Sequence, residues 1–125
     1  MNPDSPAYHN NRSLALRELG THEEALIECE DAIRLDPKNP YYHHNRGLRL
    51  YDPKRFEDAI NELSNAIALN PSNPYHFYKR GIAVYKLGRY EEALYQLKES
   101  VRLDPNQRVV RYIMALIEKA EKNRP

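Results

Sequence analysis

Leu35-Asp36-Pro37-Lys38-Asn39-Pro40-Tyr41 and Leu69-Asn70-Pro71-Ser72-Asn73-Pro74-Tyr75 are nearly one phrase written twice, 34 residues apart. The spacing extends in both directions. Pro3 and Pro6 precede Pro37 and Pro40 by 34, and Pro105 follows Pro71 by the same step. A fixed period of about 34 residues is the helix–turn–helix value for stacked supersecondary units. A single such unit cannot bury its apolar side, so neighbours must stack. The period predicts an all-α chain. It points to a surface that binds something and away from a pocket that transforms something.

Units of 6–39, 40–73 and 74–107 follow from the proline register. Ser5, Asn39 and Asn73 stand before Pro6, Pro40 and Pro74, which predicts helix starts there. A polar side chain at that place accepts an orphan backbone N–H, and proline at the first helical position gives up no needed donor. Gly20 and Gly88 mark the ends of two first helices, where glycine tolerates a left-handed turn. The middle unit reads Tyr51-Asp52-Pro53-Lys54-Arg55, with lysine in the glycine place, so a slightly different turn is expected. Second helices open on Glu23-Glu24-Ala25, Glu57-Asp58-Ala59 and Glu91-Glu92-Ala93, with acids at the positive end of the helix dipole. Their apolar stripe recurs on period. It runs from Ala25, Leu26, Cys29, Ala32, Ile33 and Leu35 through Ala59, Ile60, Leu63, Ala66, Ile67 and Leu69 to Ala93, Leu94, Leu97, Ser100, Val101 and Leu103. Asp36-Pro37, Asn70-Pro71 and Asp104-Pro105 stop each unit. Residues 108–122 read as one further amphipathic helix that caps the stack.

Gly47 and Gly81, Ala25, Ala59 and Ala93, Phe56 and Tyr90, Ala32 and Ala66, and Pro37, Pro71 and Pro105 together carry a resemblance to the tetratricopeptide repeat family. It covers about residues 6–107. The chain departs from the family pattern at His9, His43 and Phe77, where tryptophan is frequent, and at Arg12, Arg46 and Arg80, where leucine is common. The resemblance implies a right-handed superhelical solenoid of three 34-residue helix–turn–helix repeats plus a terminal helix, one domain over 1–125. It also implies that the first helices line a concave groove.

Steps of three and four place Ala7, Asn10, Leu14 and Arg17 on one face of the first unit. The equivalent residues are Tyr41, His44, Leu48 and Tyr51, then Tyr75, Tyr78, Ile82 and Tyr85, and the cap adds Tyr112 and Leu116. Six of the ten tyrosines fall on this face, and tyrosine recurs at binding surfaces because it offers area with few rotors. Asn11, Asn45 and Lys79 add polar groups beside it. Asn11 and Asn45 resemble the asparagine ladder of the peptide-binding superhelix in O-linked N-acetylglucosamine transferases. The carboxylate clamp that grips chaperone chain ends places a lysine, two asparagines, a lysine and an arginine where this chain has Asn10, Leu14, Asn45, Tyr75 and Lys79. Asn45 matches and Lys79 keeps the charge, so the clamp is incomplete. Arg12, Arg46 and Arg80 form a ladder on period. It reads either as an anion site or, preferably, as buried stems pairing with acids on a neighbouring helix.

The remaining composition narrows the function. With 19 basic against 18 acidic residues, no global charge drives binding to nucleic acid or anionic lipid. A single cysteine, Cys29, excludes an internal disulfide and suits a reducing compartment; it falls at a core position. No run approaches the ~18 apolar residues of a membrane span, and Met1-Asn2-Pro3-Asp4-Ser5 has no signal-peptide character. A cytoplasmic location is the default expectation. Five histidines, His9, His22, His43, His44 and His76, form no convincing metal set by spacing, although His9 and His43 stand at equivalent positions. No phosphate loop or paired nucleophile occurs, so no enzyme, metal or cofactor is expected. The expected role is an adaptor or scaffold module that binds an extended peptide or partner helix in a tyrosine-lined groove. The rival reading is self-assembly into homo-oligomers, through an open end or a swapped cap helix. Asn2-Pro3-Asp4-Ser5-Pro6 reads as the tail of an upstream unit, as if the chain were part of a longer array.

Overall fold

The computed structural model describes residues 4–51 and 53–124. Asn2 and Pro3 of the expected upstream tail, and Asp52 of the middle turn, lie outside the described residues. The elements are α1 (Pro6–Glu18), α2 (His22–Leu35), α3 (Pro40–Arg49), α4 (Phe56–Leu69), α5 (Pro74–Lys86), α6 (Tyr90–Leu103) and α7 (Val110–Asn123), with no strand among the described residues. No described helix is long and apolar enough to cross a membrane.

The three proline-led helices begin at Pro6, Pro40 and Pro74, as the register predicts. Asn39 and Asn73 each accept the backbone N–H two residues on, from Tyr41 and Tyr75, at 2.9 Å. Ser5 departs from that expectation, because its hydroxyl makes no capping bond. The middle turn is different, as expected: α3 ends at Arg49, three positions earlier on register than α1 at Glu18 and α5 at Lys86, although its closing residue keeps the conformation of its neighbours. Lys54 takes φ 59°, beside 79° at Gly20 and 77° at Gly88. Its N–H bonds Tyr51 O at 2.8 Å, just as Gly20 bonds Arg17 O and Gly88 bonds Tyr85 O at 2.9 Å. Stacking on period sets the turn, and lysine accepts a left-handed backbone to fit it.

The second helices bury Ala25, Leu26, Cys29 and Ala32, then Ala59, Ile60, Leu63 and Ala66, then Ala93, Leu94, Leu97 and Ser100. The stripe is narrower than the sequence suggests. Ile33, Ile67 and Val101 are half-buried and Leu69 is exposed. Within the later hairpins the first helix carries a glycine at the crossing. A Cβ on Gly47 would stand 2.9 Å from Leu63 Cγ, and one on Gly81 would stand 2.8 Å from Leu97 Cδ2. Extensive contacts run between successive helices along the chain. The architecture is therefore an all-α helical repeat solenoid.

The arginine ladder resolves into ion pairs on neighbouring helices. Arg12 lies 3.5 Å from Glu28, Arg46 lies 3.1 Å from Glu30 and 3.7 Å from Glu62, and Arg80 lies 2.9 Å from Glu92. In the first two units a histidine shares the same acid, with His9 at 2.6 Å from Glu28 and His43 at 3.5 Å from Glu62. The third unit replaces both partners on period, with Phe77 for histidine and Gln96 for glutamate. Arg80 then turns to Glu92 and to Ser64 Oγ at 2.8 Å. Losing the acid and the histidine together leaves no unpaired buried charge.

Candidate functional site

The first helices form one wall, and a half-enclosed cavity of about 390 Å³ opens on it. Tyr41, His44, Asn45, Leu48 and Tyr75, all sequence candidates, line it together. Leu14 and Arg17 contribute from α1. Arg49, Asn73 and His76 also line it, although no groove role for them is evident in the sequence. Arg49 and His76 each follow a residue on the expected face, Leu48 and Tyr75, and Asn73 is the cap of α5.

Three of the aromatic candidates present area to solvent. Tyr41 is 52% exposed and Tyr75 is 44% exposed. Tyr75 stacks on the His44 ring with centroids 5.2 Å apart. Tyr112 on α7 is also exposed and meets Tyr78 edge-on at 6.2 Å. The other rings turn inward. Tyr78 belongs to the buried cluster of Leu94, Leu97, Ile113 and Leu116, and burial pushes its phenol up to about 12. Ile82 and Tyr85 pack against the same cluster, half-buried. Tyr51 donates its hydroxyl to the Lys79 carbonyl and packs on Phe56, and its burial raises its phenol far above the ordinary range. Tyr51, Tyr78, Ile82 and Tyr85 therefore join repeats to one another.

The polar candidates divide the same way. Asn45 is buried, and its amide N–H group reaches Asn10 Oδ1 at 2.8 Å, Ser13 Oγ at 2.9 Å and Cys29 Sγ at 3.5 Å. It stitches the first two hairpins. Asn11 stands exposed on α1. The Lys79 ammonium lies over two rings, 5.4 Å from the Tyr75 centroid and 4.9 Å from that of Tyr78. Burial holds it below the usual lysine range, helped by Arg17 and Arg49. Arg17 and Arg49 line the cavity and Lys79 lies near both, Arg17 also standing 3.5 Å from Glu18; among the described residues no carboxylate lines the cavity itself.

Beneath them lies a buried histidine pair. His44 Nδ1 and His76 Nδ1 are 2.7 Å apart, one ring donating and the other accepting. Burial lowers the His44 imidazole to about 3, and His76, Lys79 and Arg49 reinforce the shift. Burial lowers His76 as well. The pair is neutral, and its cationic surroundings disfavour a metal ion. The histidines that meet are thus His44 and His76, whereas His43 bonds the Pro37 carbonyl through Nε2 at 2.7 Å. Among the described residues one potential ligand trio stands elsewhere, with His9, Glu28 and Asp31 atoms within 4.8 Å of one another. Arg12 and Arg34 already pair with its two carboxylates at 3.5 and 3.6 Å, which makes it an ion-pair network. Cys29 is buried, and that burial raises its thiol.

Comparison with known proteins gives a consistent result. Family models of the tetratricopeptide repeat match residues 1–40 and 77–107, and a TPR repeat model matches 47–88. No curated protein matches the sequence significantly. Solved structures do. The first TPR of Spaghetti (RPAP3), bound to HSP90 peptide SRMEEVD, is 23% identical with a TM-score of 0.88, covering 98% of this chain and 94% of that one. The first TPR domain of the human RPAP3 protein is 25% identical with a TM-score of 0.82, covering 97% and 98%. The TPR2B domain of yeast Sti1, in a pHsp70 complex, is 20% identical with a TM-score of 0.89, covering 95% and 98%. With the period, the hairpin packing and the matched models in agreement along most of its length, the chain belongs to the tetratricopeptide repeat family.

Proposed function

We propose that this protein is an interaction module that holds an extended acidic peptide along the face built by α1, α3 and α5. Its working unit is one domain of three hairpins, 6–39, 40–73 and 74–107, closed by the cap at 108–122. The observation that carries this reading is the cavity between Arg17, Arg49, Tyr41 and Tyr75, which gathers cations and half-exposed rings without a carboxylate among the described residues lining it. Lys79 is held below the usual lysine range chiefly by burial, and Arg17 and Arg49 add to the shift; Arg17 keeps one acid within reach, Glu18 at 3.5 Å. An entering carboxylate meets these cations and gains charge-assisted hydrogen bonds. Tyr41 and Tyr75 supply rigid contact area at its flanks. The HSP90 peptide on the Spaghetti domain, SRMEEVD, carries three acidic residues, and this supports the same ligand class. Asn45 contributes by fixing the first two hairpins, and Tyr78 by fixing the third on α7.

The test is a binding titration with SRMEEVD and SRMQQVN, in which amides replace the three side-chain carboxylates. The acidic peptide binds about tenfold or more tightly, and Arg17→Glu removes most of the difference. Tyr75→Ala weakens binding by about 1–2 kcal/mol while the melting temperature holds, because its ring is half exposed. Equal affinity for the two peptides overturns the proposal.

A further inference from the structure

We propose a second interface: α7 docks against α7 of another copy of this chain, forming a two-fold pair. It is independent of the peptide face.

The register shows which side of α7 such a partner covers. Ala115 follows Gly81 and Gly47 at intervals of 34 residues, so α7 stands in the place of a first helix. At Gly47 and Gly81 the second helix of the hairpin presses in, through Leu63 and Leu97. Among the described residues α7 has no such companion. Ala115 is exposed, Met114 is 52% exposed, and an open groove of roughly 520 Å³ runs along this side.

One residue decides what covers it. Three positions beyond each crossing glycine stand Leu50 and Val84, both fully buried. Three positions beyond Ala115 stands Glu118. Another helix of the ordinary kind would bury that carboxylate with only the long contact to Lys122, 3.8 Å away, to offset the lost hydration, which is costly. An occupant that brings its own positive charge to Glu118 removes that cost. α7 carries one in the matching place: Arg111 lies three residues before Met114, as Glu118 lies three after Ala115. Arg111, Met114, Ala115 and Glu118 all line the groove. Two copies crossed antiparallel about the Met114–Ala115 bond set each Arg111 against the other copy's Glu118. Each Met114 then rests on the small Ala115 of its counterpart. Such self-complementarity is what a two-fold interface requires. Within the chain Glu118 sits 3.8 Å from Lys122, and both are largely exposed, so re-pairing costs little.

The test is molar mass by sedimentation over a concentration series, for the native chain, Arg111→Glu, Glu118→Arg and an equimolar mixture of the two variants. The native chain moves from 14.7 kDa toward twice that value. Each single reversal raises the dissociation constant about tenfold or more, since it creates two like-charge contacts per pair. The mixture recovers the dimer, because both contacts in the mixed pair again join opposite charges. Circular dichroism confirms that both variants fold, as expected for exposed positions. A native chain that stays monomeric, a dimer indifferent to the reversals, a mixture that fails to recover, or a mass that grows without limit overturns the proposal.

Discussion

His44 shows how much one side chain can be changed by its surroundings. Its ring is 4% exposed, bonded to His76 and stacked on Tyr75. Free histidine protonates near pH 6.5, whereas this imidazole is lowered to about 3. The folded chain therefore binds fewer protons than the unfolded one between those values. The stability present above pH 6.5 is lost progressively as pH falls toward 3. The loss is on the order of 2–4 kcal/mol, and His44→Gln flattens it. Urea midpoints between pH 7 and 5 separate the two, above most carboxylate titration; parallel slopes would remove His44 as the cause. Asn45 teaches the complementary lesson. Its place on the first-helix wall is legible in the sequence, but its partners Asn10 and Ser13 lie 35 and 32 residues away. The N–H side of this amide joins the first two hairpins, while the residue also lines the cavity.

At the scale of elements, the helices are legible because their boundaries are set by local chemistry. Proline, asparagine caps and glycine turns recur on period, and the structure starts α1, α3 and α5 at the prolines they indicate. Lys54 is where the middle unit differs. Lysine after proline suggests a changed turn, and α3 ends three positions early on register, while Lys54 and Arg55 keep the closing bonds of the other hairpins. The strain sits in the lysine backbone, at φ 59°. Lys54→Gly relieves it, stabilising the protein by about 1 kcal/mol and raising the melting temperature by a few degrees. A melt in which the glycine variant unfolds earlier would show that the lysine side chain contributes more than its backbone costs. Leu69 marks the other limit, since a stripe of apolar residues does not reveal how far along it burial extends.

For the whole molecule, the fold is almost fully legible because one number, the 34-residue period, names the neighbour of every helix. The candidate site is legible only in part. Tyr41, His44, Leu48 and Tyr75 follow from helix periodicity and converge on the cavity. Arg49, Asn73 and His76 do not, because Arg49 and His76 each lie one residue beyond the expected face and Asn73 is the cap of α5. The near-neutral net charge bears on this site as well. With +1 overall, the proposed attraction to an acidic peptide rests on the local group of Arg17, Arg49 and Lys79 rather than on the net charge. Affinity for SRMEEVD should therefore weaken only about threefold between 50 and 200 mM salt, since so few charges act within a Debye length. A titration showing a hundredfold loss would place the contact on a broader charged surface.

The packing of each helix mainly on the next has a mechanical outcome. A chain tethered at its two ends has no distant clasp to hold it shut. Pulled apart, it should yield like a zip, releasing one hairpin after another in small steps rather than rupturing at a single peak.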